Sequence, residues 1–230
     1  MSVKNKIVEG ITSVCSLLQQ AVEDNVFDIQ QVVRAGKNVN RIEVLVMEYL
    51  SAVLDADIVY SDEFKSLHTP HYTETLAYAR MNEEVTPAEL KFTKGNPIKN
   101  MIVHNPNGSQ SWPDIMVIHD NVGYPLEVKS SSSIPKMNSG MFRINTPYLA
   151  IKKDPVAEKR KFRFMMGSEM TNAQEIVDRR STIDEIVKHI EAIGAPEYRR
   201  CYDNFFGKDE LWYPADYHDK HAQALAEYVK

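Results

Sequence analysis

From residue 7 to residue 22 the apolar positions Ile7, Ile11, Val14, Leu17, Leu18, Ala21 and Val22 recur at steps of three and four, the stripe of an amphipathic helix that offers a packing or dimer surface. A second stripe, Ile42, Leu45, Val46, Tyr49, Leu50 and Val53, follows a loop around Gly36, Asn38 and Asn40, and Glu43 and Glu48 lie beside it. From Thr69 to Pro97 the pattern is mixed, punctuated by Pro70, Pro87 and Gly95-Asn96-Pro97, with a short helix expected over Glu74 to Arg80. The period then shortens. Runs rich in β-formers cover Met101 to His104, Ile115 to His119, Tyr124 to Ser130 and Tyr148 to Ile151, separated by Asn, Gly, Ser and Pro clusters, and Phe162 to Met166 adds a further strand. Ser181-Thr182-Ile183-Asp184 reads as a capping box opening a helix that ends before Gly194. Aromatics at Tyr198, Tyr202, Phe205, Phe206, Trp212, Tyr213 and Tyr217 read mainly as core, and a short helix closes the chain over His221 to Val229. Strands between helices predict an α/β protein with a central sheet.

The 230 residues suffice for one domain with a substantial core, and no repeat or linker divides them. The expected organisation is a single domain over 1–230: an N-terminal helical segment (1–35), a core (36–193) and an aromatic-rich C-terminal segment (194–230). With 43% hydrophobic and 26% charged residues, 9 Gly and 11 Pro, the composition is that of a soluble globular protein. Cys15 and Cys201 match neither a disulfide framework nor a thiolate metal site, which fits a reducing, cytoplasmic setting. No apolar run approaches the roughly 18 residues that span a bilayer, and no signal-peptide apolar region follows Met1. The net charge of -5 speaks against a uniformly basic nucleic-acid binder, although acidic catalytic residues contribute to that sum.

The segment from Trp112 to Lys129 carries the chemistry. Read as two antiparallel strands around a turn at Asp120-Asn121, it places Asp114 opposite Glu127, because opposed positions in a hairpin have a constant sum. Opposed Cβ atoms lie about 4.5 to 5.5 Å apart, at which two carboxylates can share one divalent cation. Lys129 projects on the same face as Glu127, while Leu126 and Val128 point the other way. A hard cation such as Mg²⁺ polarises a phosphoryl oxygen and lowers the pKa of a bound water, and an adjacent ammonium stabilises the developing charge. That combination suits phosphodiester hydrolysis.

Pro113-Asp114 followed by Glu127-Val128-Lys129 resembles the PD-(D/E)xK nuclease superfamily. The resemblance implies a restriction-endonuclease-like core across roughly residues 36 to 193: a helix, an antiparallel meander, a helix and a further strand in a mixed sheet. It further implies Mg²⁺ held by Asp114 and Glu127, with Lys129 as the polarising base. In many members a glutamate on the preceding helix also faces the metal; Glu43 matches that position, with Glu48 the second choice, and an acid in a first helical turn also stabilises the macrodipole without any catalysis. The Ser-rich run from Ser130 to Gly140 is similar to what some type II restriction endonucleases carry there. The leading expectation is therefore a homodimeric type II restriction endonuclease cutting double-stranded DNA, with a cognate DNA methyltransferase as a partner. Ser130, Asn138, Arg143, Lys159, Arg160 and Lys161 are its expected DNA contacts.

Other readings stand beside this one. The lesser reading of the motif is a salt-bridged surface hairpin, against which stands the cost of charged side chains inside an apolar strand unless they do something. Lys152, Lys153, Lys159, Arg160, Lys161 and Arg163 form a DNA groove or a solvated face. His68 and His71 do not make a zinc site, with Pro70 between them and no thiolate near. Within the enzyme class the alternative is a structure-selective repair or recombination nuclease; outside it, a non-catalytic DNA-binding module on the same fold.

Overall fold

The first apolar stripe folds as α1 (Val3–Glu23) and the second as α2 (Arg41–Leu54) in a computed structural model that describes residues 2–24, 41–67, 75, 88–92, 99–107, 112–131, 143–152, 161–169, 172–192 and 217–230. Ile7, Ile11, Val14 and Leu18 from α1 and Ile42, Val46, Met47 and Leu50 from α2 share one core, since positions three and four apart fall on one helix face. Leu17 and Val53, expected in these stripes, are exposed because they sit at the stripe edges. The two helices approach closely at Gly10, where a Cβ would come within 2.6 Å of Leu50 Cδ2.

The strands are β1 (Asp57–Tyr60), β2 (Leu90–Lys91), β3 (Met101–His104), β4 (Ile115–His119), β5 (Val122–Ser131), β6 (Pro147–Lys152) and β7 (Lys161–Met166). They form one seven-stranded mixed sheet in the order β1-β3-β4-β5-β6-β7, with β2 against the start of β5. β3, β4 and β5 are an antiparallel meander; β1 runs parallel to β3, β6 parallel to β5, and β7 antiparallel to β6. The protein is thus α/β, with helices packed against a mixed sheet. Strand alternation sorts the side chains into two cores. Ile102, Ile115, Val117, Leu126, Val128, Leu149 and Phe164 pack toward α1 and α2. Met101, Val103, Met116 and Ile118 pack on the other face with Trp112, Phe92 and Phe64 of α3 (Ser61–Leu67).

The expected hairpin forms in the expected register, Ile115 opposite Leu126 and His119 opposite Val122. Its two-residue turn has φ of 49° at Asp120 and 62° at Asn121, the left-handed values that a primed turn needs and that Asp and Asn tolerate. The later helix differs from expectation. α4 (Ala173–Ala192) begins eight residues before Ser181, because Asn172 caps it: its Oδ1 accepts from the Glu175 N–H at 3.0 Å. Thr182, inside α4, satisfies its hydroxyl by donating back to the Asp178 carbonyl at 3.0 Å, so the supposed cap is helix interior. α5 (Tyr217–Tyr228) buries Ala224 and Tyr228 against the α1–α2 core. The short helix expected over Glu74 to Arg80, apart from Thr75, and the aromatics from Tyr198 to Tyr213 lie outside the described residues.

A 3₁₀ turn, Gly167–Glu169, seats the chain entering β6. Gly167 N donates to the Thr146 carbonyl at 3.0 Å and Ser168 N to the Ile144 carbonyl at 2.8 Å. A Cβ on Gly167 would fall 1.8 Å from the Arg143 carbonyl oxygen, so backbone has to move to admit one. Gly167→Ala should therefore lower stability by at least about 1–3 kcal/mol, the usual cost of overpacking. Thermal melts of the two proteins measure it, and an unchanged Tm would contradict this account of the turn.

Candidate active site

Asp114 stands just before β4 and Glu127 in the middle of β5, one step beyond the Ile115–Leu126 pair, so the meander sets them opposite each other. Two reciprocal bonds lock the pair: the Asp114 N–H donates to Glu127 Oε2 at 2.9 Å, and the Val128 N–H donates to Asp114 Oδ2 at 2.9 Å. Pro113 has no N–H with which to extend the ladder, and the Asp114 carboxylate takes up the Val128 donor there. Lys129 Nζ is ion-paired with Glu127 Oε1 and lies 3.4 Å from Asp114 Oδ2. All three have little exposure, Glu127 at only 3%.

Parallel pairing of β5 with β6 adds Tyr148 beside Glu127 and Ala150 beside Lys129. Tyr148 is fully buried, and its hydroxyl oxygen accepts from the Arg143 N–H at 2.9 Å. Arg143 was expected at the DNA surface; it is instead buried, its guanidinium 4.1 Å from the centre of the Trp112 ring. Trp112 itself is buried beside the site.

Burial, and after it the charge of Asp114, push the Glu127 carboxyl up from 4.5 to about 7, against the pull of Lys129. Burial by itself would draw the Lys129 ammonium down, but Glu127 and then Asp114 outweigh it and hold the group above its ordinary range. Lys129 is therefore a fixed positive charge and not a proton acceptor at neutral pH. Tyr148 is raised by burial and then by Glu127, which keeps its hydroxyl protonated.

The donor set fits a hard divalent cation. Mg²⁺ is commonly held by one or two carboxylates, with water and substrate phosphate completing its shell. Asp114 Oδ1 accepts no hydrogen bond among the described residues, and Glu127 Oε2, which accepts the Asp114 N–H, retains a lone pair, whereas Asp114 Oδ2 accepts from both Val128 N–H and Lys129 Nζ. The third expected ligand is not brought to this pair. Among the described residues no group of three or more His, Cys, Asp or Glu side chains is placed to hold a metal ion. Glu43, carried by α2, is buried with Oε2 2.7 Å from His104 Nε2 on the helix-covered face, and Glu48 is exposed.

Of the expected DNA contacts, Ser130 and Lys161 lie in β5 and β7, while Asn138, Lys159 and Arg160 fall outside the described residues. Arg163, grouped by sequence with the basic cluster, is 4% exposed, and its Nη2 pairs with Glu169 Oε2 at 3.1 Å. The same carboxylate accepts from the Met166 N–H and meets His221 Nδ1 at 2.8 Å, tying α5 to the edge of the sheet. His119 and Asp120 are 3.1 Å apart at the hairpin turn, at the opposite end of β4 from Asp114. Burial pushes the Cys15 thiol up to about 12, which makes it a poor nucleophile. No helix among the described residues is long and apolar enough to cross a membrane.

Tyr148 and His104 escaped sequence reasoning as members of this region. The parallel β5–β6 register has no local signal, and His104 looks like the polar end of an apolar strand. No family model, no curated protein and no solved structure matches this chain.

Proposed function

We propose that this chain is a Mg²⁺-dependent endonuclease that hydrolyses phosphodiester bonds in double-stranded DNA, acting as type II restriction endonucleases of the PD-(D/E)xK superfamily do. One observation carries the reading: Asp114 and Glu127 are opposed at the end of a buried hairpin, with Lys129 bonded to both. Keeping three charged groups together at so little exposure is costly for a merely structural purpose. Bound Mg²⁺ would supply Lewis acidity and a water of lowered pKa. Asp114 and Glu127 would hold it, the reciprocal backbone bonds fixing where their free lone pairs point. The Lys129 ammonium then stabilises negative charge developing on the phosphate and on the attacking oxygen. Cutting both strands of a duplex calls for two such sites, hence a homodimer, and a restriction role calls for a methyltransferase that protects the same sequence.

A second reading draws on the same geometry. Lys129 already balances the carboxylate charge, as it would in a DNA-binding module without catalysis. Phage DNA incubated with the purified protein and Mg²⁺, followed by mapping of fragment ends, decides between them. Discrete ends at one short sequence are expected; ends scattered at branched or damaged positions indicate a repair nuclease, and intact DNA the binding module. Because a proton and a cation compete for Glu127, the Mg²⁺ concentration giving half-maximal cleavage should fall as pH rises through about 7 and level off above it. A flat dependence from pH 6 to 8 would remove Glu127 from the ligand set.

A further inference from the structure

On the helix-covered side of the sheet, a buried polar chain leads from α2 to the Asp114 backbone. Glu43, His104 and Asn105 are each more than nine-tenths buried, in a wall otherwise made of Ile42, Val46, Ile102 and Ile115. Glu43 Oε2 lies 2.7 Å from His104 Nε2, and the Tyr60 ring and the imidazole meet edge to face, with centroids 5.7 Å apart. Asn105 Nδ2 is 3.1 Å from His104 Nε2 and 3.4 Å from Nδ1. With Nε2–H committed to the carboxylate, the lone pair open to Asn105 is on Nδ1. Asn105 has a φ of 47°, left-handed, which ends β3, and its backbone N–H donates to the Asp114 carbonyl at 2.7 Å. The Asp114 carboxylate in turn holds the Val128 N–H. A buried polar group in an apolar wall is costly unless it is bonded, and here the bonds run in one line toward the first carboxylate of the site.

We infer that Glu43 and His104 form a positioning unit for Asp114: His104 orients Asn105, Asn105 fixes the Asp114 backbone, and the Asp114 carboxylate is thereby set where the phosphodiester chemistry requires it. The inference rests on the nuclease reading for its consequence, and on the hydrogen bonds alone for its geometry. Glu43 then serves the site from the opposite face of the sheet, through His104, and not as an outer ligand.

Two substitutions of His104 separate the chemistry from packing. His104→Gln keeps a donor for Glu43 and an acceptor for Asn105, whereas His104→Leu keeps the volume and loses both. Amide hydrogen exchange, followed by NMR in the full chain, reads the geometry directly. In His104→Leu, protection of the Asn105 and Val128 amides should fall by at least about tenfold, with Val117 and Tyr124, nearer the hairpin turn, unchanged. His104→Gln should restore most of it. In Mg²⁺-dependent cleavage, His104→Leu should lose roughly tenfold or more in kcat at an unchanged KM for DNA, the usual scale for groups that orient a ligand from behind. Should His104→Leu fail to fold, Glu43→Leu combined with His104→Leu takes its place, since removing both partners leaves no unpaired buried charge. Unaltered exchange at Val128, or His104→Gln no better than His104→Leu, overturns the inference whatever the protein does to DNA. Exchange changing as expected in His104→Leu, with DNA left intact by the wild type, upholds the positioning unit and removes the nuclease reading alone.

Discussion

Lys129→Met should bind Mg²⁺ at least as tightly as the wild type and yet cleave DNA at no more than about a hundredth to a thousandth of its rate, the loss typical when one preorganised group facing transition-state charge is removed. The two halves of this expectation have one cause. Lys129 Nζ is bonded to both carboxylates, so in the wild type a cation has to share them with an ammonium. Methionine keeps most of the stem and gives up the charge, which leaves the metal as the counter-ion; because Glu127 also loses the downward pull of Lys129 and holds its proton more tightly, the comparison is made at alkaline pH. Mg²⁺ should accordingly raise the Tm of Lys129→Met more than that of the wild type, since a ligand stabilises the folded state in proportion to its affinity for it. Single-turnover cleavage at saturating Mg²⁺ and DNA, with calorimetric Mg²⁺ titration alongside, measures both halves. Normal single-turnover cleavage with a large loss of DNA affinity would make Lys129 a phosphate anchor and sink the mechanism.

Asp114→Asn should lose cleavage still more completely, on the order of a thousandfold or beyond, because the Lewis-acid contribution of a bound metal amounts to several kcal/mol of transition-state stabilisation. Asparagine is the better probe than alanine here. Its carbonyl oxygen can go on accepting the Val128 N–H, so the hairpin end stays closed while the negative charge goes. DNA affinity should hold or improve, since a carboxylate that repels phosphate has been removed. The Glu127 carboxyl should fall from about 7 toward its ordinary range, its second-largest upward push having been the Asp114 charge. Carbon-detected NMR titration of Glu127 follows that shift independently of activity. Near wild-type cleavage in Asp114→Asn or in Glu127→Gln would place the metal elsewhere.

How much of this was legible in the chain follows from the range of each interaction. Helix stripes, strand runs and the Asp120-Asn121 turn are local, set by periodicities and φ preferences within a few residues. The sequence alone therefore yielded α1, α2, the five β-runs and the register that opposes Asp114 to Glu127. A local rule also misled it at Ser181, where a capping pattern lay inside a helix already started by Asn172. Only the tertiary structure could decide what crosses between elements. The parallel pairing of β5 with β6 put Tyr148 beside Glu127, the seat on Gly167 turned Arg143 inward onto Trp112, and α2 bound Glu43 to His104 on the face away from Lys129. Arg143, Arg163 and Glu43 look exposed or catalytic in sequence because charge suggests solvent or ligand. Their burial depends on partners that lie far along the chain, as the separation of 61 positions from Glu43 to His104 illustrates, and no pattern within either segment specifies that pairing.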